Sequence, residues 1–114
     1  MNFKLLLGLF WFLLGHIAVF FQLNSQLKWD WAKENSWILA LFGFPISFFY
    51  IWGTKYTVAG FDGLMWPARF IGFSVGMIVY AFGVSYFFNQ GMTPKTLVSL
   101  TLAVLLVCIQ VLWK

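Results

Sequence analysis

Four long stretches of this chain are nearly free of charge, and three short polar stretches separate them. The apolar stretches are Leu5–Gln26, Trp37–Thr57, Ala68–Phe88 and Lys95–Trp113. Each has roughly the 20 residues that an α-helix needs to cross the hydrocarbon of a bilayer. The second is the least regular: its apolar run is continuous to Gly53 and reaches Thr57 only through Thr54, Lys55 and Tyr56. The pattern predicts an all-α fold, a polytopic membrane protein with four transmembrane helices in a compact bundle, as one domain over residues 1–114.

The predicted boundaries carry their own chemistry. Asn35 or Ser36 can cap the second helix through a side-chain oxygen. Trp66-Pro67 and Thr93-Pro94 place a proline at the start of the third and fourth helices, where the missing amide hydrogen has no partner to lose. Pro45 is the one proline inside a span, and a kink is expected there. Gly60, Asp62 and Gly63 make the middle connection a turn. Trp29, Trp31 and Trp37 are expected at one membrane interface and Trp52, Trp66 and Trp113 at the other, as amphipathic indoles prefer. Trp11 falls inside the first span.

Composition narrows the class further. Of 114 residues, 62% are hydrophobic and only 9% charged, whereas a soluble domain carries about 25% charged residues. A small soluble fold exposes much of its surface and would need more polar side chains to cover it. An ordinary soluble enzyme, a disordered tail and a disulfide scaffold are therefore excluded. The net charge of +4 comes from scattered Lys and Arg with no two adjacent, which fits headgroup contacts rather than nucleic acid. Cys108 is the single cysteine, so no intramolecular disulfide can form. The first apolar run, with His16 and Gln22 its only polar residues from Leu5 to Leu23, is too long for the core of a signal peptide and is read as a retained span.

Orientation is weakly marked. The side with both predicted termini and the middle connection carries Lys4, Lys55, Arg69 and Lys114, and the other carries Lys28, Lys33 and Lys95. The rule that counts Lys and Arg in short loops leans towards cytoplasmic termini, with insertion in both orientations left open. The expected location is a bacterial-type inner membrane.

Polar groups inside hydrocarbon are the first places to look for chemistry. The first helix holds most of them: His16 near mid-bilayer, then Gln22, Asn24, Ser25 and Gln26. A neutral imidazole is tolerated there if its nitrogens find partners, and it can take up a proton. Packing alone would also account for a histidine hydrogen bonded between helices. Arg69 stands one turn inside the third helix, where it can snorkel to headgroups, pair with Asp62 or meet an anion. Tyr80 adds a phenol to the third span, and Gln110 is an isolated polar group in the last. Ala68, Gly72 and Gly76 form a small-residue stripe that Gly83 continues, a surface another helix can approach closely; Gly8 and Gly15 form a weaker pair. All three acids, Asp30, Glu34 and Asp62, lie outside the spans. No metal ligand set or cofactor motif is present, and an enzyme is not expected.

Four short spans, a near-balanced charge bias and a glycine-bearing third helix resemble the small multidrug resistance proteins of the drug/metabolite transporter superfamily. The stretch HIAVFFQLN can be laid on that family's first-helix motif, with His16 at the position of its membrane glutamate and Asn24 at that of its lysine. The segment NQGMTPKTLVSLTLAVLLVCIQV is similar to the superfamily's last loop and helix, with Asn89-Gln90-Gly91 in place of glycine-glutamate-proline. The resemblance covers the layout of the whole chain and, in motif, these two segments. It implies a dimer, antiparallel in the family. The glutamate that couples cation export to protons is absent, so that activity is not implied.

The resulting expectation is a small transporter working in the lipid bilayer as a homodimer or higher homo-oligomer. Its solute would be small and neutral or weakly anionic, with proton linkage through His16. The expected path is lined by His16, Gln22, Asn24, Tyr80 and Arg69, while Gly72, Gly76 and Gly83 serve helix packing. An accessory subunit held against a membrane protein partner and an ion channel remain the alternatives. No nucleic acid partner is expected.

Overall fold

A computed structural model of the protein describes residues 3–113. It is helical throughout: α1 spans Phe3–Asn24, followed by a single 3₁₀ turn at Ser25–Leu27, α2 spans Asp30–Glu34, α3 Ser36–Leu41, α4 Gly43–Gly60, α5 Met65–Phe87 and α6 Pro94–Leu112. Taken as continuous stretches, Phe3–Leu27, Ser36–Gly60, Met65–Phe87 and Pro94–Leu112 are long and apolar enough to cross a membrane. The chain is thus an integral membrane protein with four spans.

The second span runs past its expected end at Thr57. The helix runs on through Thr54, Lys55, Tyr56 and Thr57 to Gly60, leaving only Phe61–Leu64 as the connection to α5. Thr57 explains this, because it is fully buried against α1 and a polar residue facing a neighbouring helix need not end a span. The extension also moves Trp52 away from the rim, about 12 Å along the axis before the end of α4. There it packs on Trp11 of α1, with ring centroids 4.9 Å apart. The break in this span falls at Phe42, three residues ahead of Pro45, which sits in the first turn of α4. Asn35 precedes α3 without capping it; its amide donates back to the Trp31 carbonyl at 2.7 Å. Thr93 does cap α6, its hydroxyl accepting from the Thr96 amide at 3.3 Å.

Helix α1 is the centre of the bundle. Along its seam with α4, Leu5 faces Gly60, Gly8 faces Thr57, Phe12 faces Gly53, and Gly15 faces Phe49 and Tyr50. Numbers rise on one helix as they fall on the other, so the two are antiparallel. A methyl group at Gly8 would land on the Thr57 hydroxyl, which places the backbones in close contact. Without a hydrophobic drive between helices in lipid, this close packing at small residues is what associates them.

The opposite seam is parallel. Phe12, His16 and Phe20, spaced four residues apart on α1, form a ridge that enters the small-residue groove of α5 at Gly72, Gly76 and Gly83. The glycine stripe of the third span therefore receives side chains of the same chain. Helix α6 makes its substantial contacts with α5 alone, and Ala103 is its only buried residue among those described. The bundle is flattened, with extents of 48 × 36 × 18 Å.

Candidate functional site

An open cavity of about 840 Å³ lies where α1, α4 and α5 meet, with Leu106 of α6 at its edge. That is within the ~300–1,000 Å³ of small-molecule sites. Phe12 and His16 come from α1, Tyr50, Thr54 and Val58 from α4, and Ala68, Arg69 and Gly72 are among the residues of α5. The helices meet closely at Gly53 and Gly72, both against Phe12. The larger side chains beyond these contacts hold the walls apart.

His16 lies near the middle of its 25-residue span. Its Nδ1 is hydrogen bonded to the Tyr50 hydroxyl at 3.1 Å, and the two rings meet edge to face with centroids 5.2 Å apart. The other side of the imidazole rests against Gly76, where an added methyl group would approach Cε1 to 2.7 Å. Glycine at that position is what lets the ring enter between the helices. The pair suits either protonation state. A neutral His16 with its proton on Nε2 accepts the Tyr50 O–H; a protonated His16 donates to the phenol oxygen instead.

Arg69 lines the same cavity from one turn inside α5. It makes no hydrogen bond or ion pair with any described residue, Asp62 included. The described lining contains this one cation and no carboxylate.

The other residues singled out in the sequence are divided among different places. Asn24 and Tyr80 share a smaller cavity of about 140 Å³ on the far side of His16. Asn24 turns its amide back to the Phe20 carbonyl at 2.9 Å, and Tyr80 packs edge-on against Phe20. Gln22 does not line either cavity. It faces α3 and donates to the Leu39 carbonyl at 3.0 Å, beside the break at Phe42. The Leu39 carbonyl also accepts the Phe42 amide at 3.2 Å, so Gln22 adds a second donor to it and ties α1 to α3. Gln26 bonds locally, its amide donating to the Leu23 carbonyl at 3.0 Å.

Tyr50 and Thr54 were missed by the sequence reading. Their signal was present: Tyr50, Thr54 and Thr57 recur at i, i+4 and i+7, one face of a helix, but the face extends into residues read as the end of the span. Lys28 was read only as a flanking charge, whereas its ammonium donates to the Phe87 carbonyl at 2.6 Å and lies 5.9 Å from the Phe88 ring centroid. It thereby satisfies an end carbonyl of α5. No group of three His, Cys, Asp or Glu among the described residues could hold a metal ion.

Compared with family models, curated proteins and solved structures, the chain matches none.

Proposed function

We propose that the protein is a small membrane transporter that moves a small neutral or weakly anionic solute through the α1–α4–α5 cavity. It would work as a homodimer or higher homo-oligomer in a bacterial-type inner membrane, on the pattern of the small multidrug resistance proteins. The observation that carries this reading is the His16–Tyr50 hydrogen bond at mid-span, opening onto a cavity that also holds Arg69, unpaired among the described residues. Ionisable groups that line a cavity between membrane spans, here a half-buried His16 and an exposed Arg69, are the usual marks of a solute or proton path.

The chemistry of the pair supports proton linkage. An anion held by Arg69 and a proton on His16 favour one another, because opposite charges attract strongly away from bulk water. Binding of both leaves the loaded cavity one charge less positive than binding of the proton alone, and the two would cross together without moving net charge. A neutral solute would use the hydroxyls of Tyr50 and Thr54 and the imidazole as hydrogen-bond partners. An aqueous path needs more wall than one flattened four-helix layer supplies, and a second copy related by symmetry is the simplest source.

Proteoliposome uptake tests the reading with two probes. Hexanesulfonate keeps its charge at all working pH values and does not leak as a neutral acid; erythritol represents the neutral class. Uptake of at least one above protein-free vesicles is expected, together with its loss in His16→Ala. For hexanesulfonate, an inward proton gradient should accelerate uptake. Protein-dependent uptake that persists unchanged in His16→Ala would remove the role given to the histidine, and absence of uptake for both probes would contradict the transporter reading.

A further inference from the structure

We propose that His16 carries protons across the membrane on its own, taking them from one of two cavities in the α1–α5 groove and releasing them into the other, with no solute bound. This is an activity beyond solute transport, and it does not depend on that reading.

Two cavities in series carry the proposal. Helices α1 and α5 run parallel, and the α1–α4–α5 cavity occupies the earlier part of their groove, from Phe12 to His16 on α1 and from Met65 to Phe73 on α5. The smaller cavity occupies the later part, from His16 to Asn24 and from Gly76 to Tyr80. Met65 is the first residue of α5 and Asn24 the last of α1, so the two linings together reach from one end of the spans to the other. His16 is the one described residue common to both. It stands where they meet, its ring seated so closely on Gly76 that an added methyl group would approach Cε1 to 2.7 Å.

The chemistry of the linings separates protons from other ions. On the first side Thr54 and Tyr50 supply hydroxyls. On the second, the Tyr80 hydroxyl has no hydrogen bond among the described residues, and Asn24, whose amide nitrogen donates to Phe20, keeps its amide oxygen to accept. Polar groups of this kind hold waters in a cavity with room for them. The titratable side chains of the described linings are His16 of α1, Tyr50 of α4, and Arg69 and Tyr80 of α5, while α6 contributes Leu106 alone. Arginine keeps its proton and a phenol gives one up only near pH 10, so the imidazole alone changes charge near neutral pH. It binds one proton from one side and gives one proton to the other, alternating between neutral and singly charged. The Tyr50 hydroxyl stays bonded to Nδ1 in both states by turning from donor to acceptor. Sodium or potassium finds no carboxylate in the described linings, is repelled by Arg69, and meets the close His16–Gly76 contact. Arg69 repels protons too, so the flux is slow.

Proteoliposomes of the full protein with a trapped pH dye, loaded with potassium and diluted into sodium buffer with valinomycin, test this with no solute added. The negative interior should draw protons in and acidify several times faster than in protein-free vesicles. His16→Leu, which fills the same place without a titratable atom, should return to the protein-free rate. A second measurement needs no variant to fold: as external pH is lowered, the rate in the parent protein should level off once the imidazole is fully charged. A rate that keeps rising in proportion to proton concentration would overturn the proposal, because it marks a continuous file of water and not a carrier that titrates. So would sodium entry at a comparable rate, undiminished proton flux in folded His16→Leu, or a parent rate no faster than that of protein-free vesicles. Uptake of a transport probe without this flux removes the inference and keeps the transporter reading. The flux without uptake of either probe does the reverse.

Discussion

The seam between α1 and α4 and the seam between α5 and α6 are both helix contacts of an apolar chain, yet they are built on different principles. In the first, Gly8 and Gly15 of α1 and Gly53 and Gly60 of α4 each stand where a methyl group would press on the facing helix. In the second, α6 contains no glycine and buries only Ala103 among its described residues. Lipid is as apolar as leucine, so greasy surface alone gives two helices no reason to prefer each other over the bilayer. Close backbone approach does. The polar pair His16–Tyr50 belongs to the tightly specified side of the molecule, and the contrast explains why: a hydrogen bond in hydrocarbon holds its geometry only if both helices are held.

That contrast can be broken by mutation, and the largest effect is expected at Gly8. A side chain there meets the Thr57 main chain as well as its hydroxyl, and main chain cannot swing aside. Gly8→Ala should lower stability by about 3 kcal/mol, the upper end for overpacking, measured by titrating the detergent-solubilised protein with SDS. A shift below about 0.5 kcal/mol would show that the α1–α4 seam is looser than described.

A finer division lies within the α5 stripe. A methyl group at Gly76 would approach His16 Cε1 to 2.7 Å, whereas one at Gly72 would sit at an ordinary 3.5 Å from Phe12. Gly76→Ala should therefore cost about 1–2 kcal/mol and displace the imidazole from Tyr50, visible as a changed histidine ring signal by NMR. Gly72→Ala should do neither. Equal effects at the two glycines would mean that the stripe acts by backbone flexibility and not by shape.

Gln22→Leu comes next. It removes the side-chain donor to the Leu39 carbonyl, leaving that of the Phe42 amide, beside the break in the second span, and interhelical hydrogen bonds in membranes are worth about 0.6–1.7 kcal/mol. The same SDS titration should register a loss of about 1 kcal/mol. On α6, Leu105→Ala should fall within about 0.5 kcal/mol of the parent, because this leucine is 52% exposed and faces outward. A loss comparable to that of Gly8→Ala would point to a packed interface on α6 that the single chain does not contain.

The same contrast accounts for what could be read before the structure. Spans one, three and four are legible because their apolar runs end at strong signals: Ser25 and Gln26, Pro67, and Thr93-Pro94. The second reaches Thr57 only through the polar Thr54, Lys55 and Tyr56 and is read to end there, until Thr57 is seen buried against Gly8. Hydropathy measures how a residue meets lipid, and these residues partly meet protein. His16 and Arg69 stand out in the sequence by rarity, and they do share a cavity. Tyr50 does not stand out, since a tyrosine among aromatic residues carries no mark of its partner 34 positions away. Gln22 looks as polar as His16 in sequence. Only the direction of its side chain, towards α3 and away from the cavity, separates a group that serves the fold from one that lines the cavity.

That separation is also the sharpest test of the functional account. Uptake into proteoliposomes of whichever probe the parent protein carries, hexanesulfonate or erythritol, would be compared for the parent protein, His16→Ala and Gln22→Ala, each reconstituted at equal amounts of folded protein. The account predicts uptake at the protein-free level for His16→Ala and near the parent level for Gln22→Ala. Equal uptake by the two variants, or loss in Gln22→Ala alone, would contradict the assignment of the His16–Tyr50 cavity as the path.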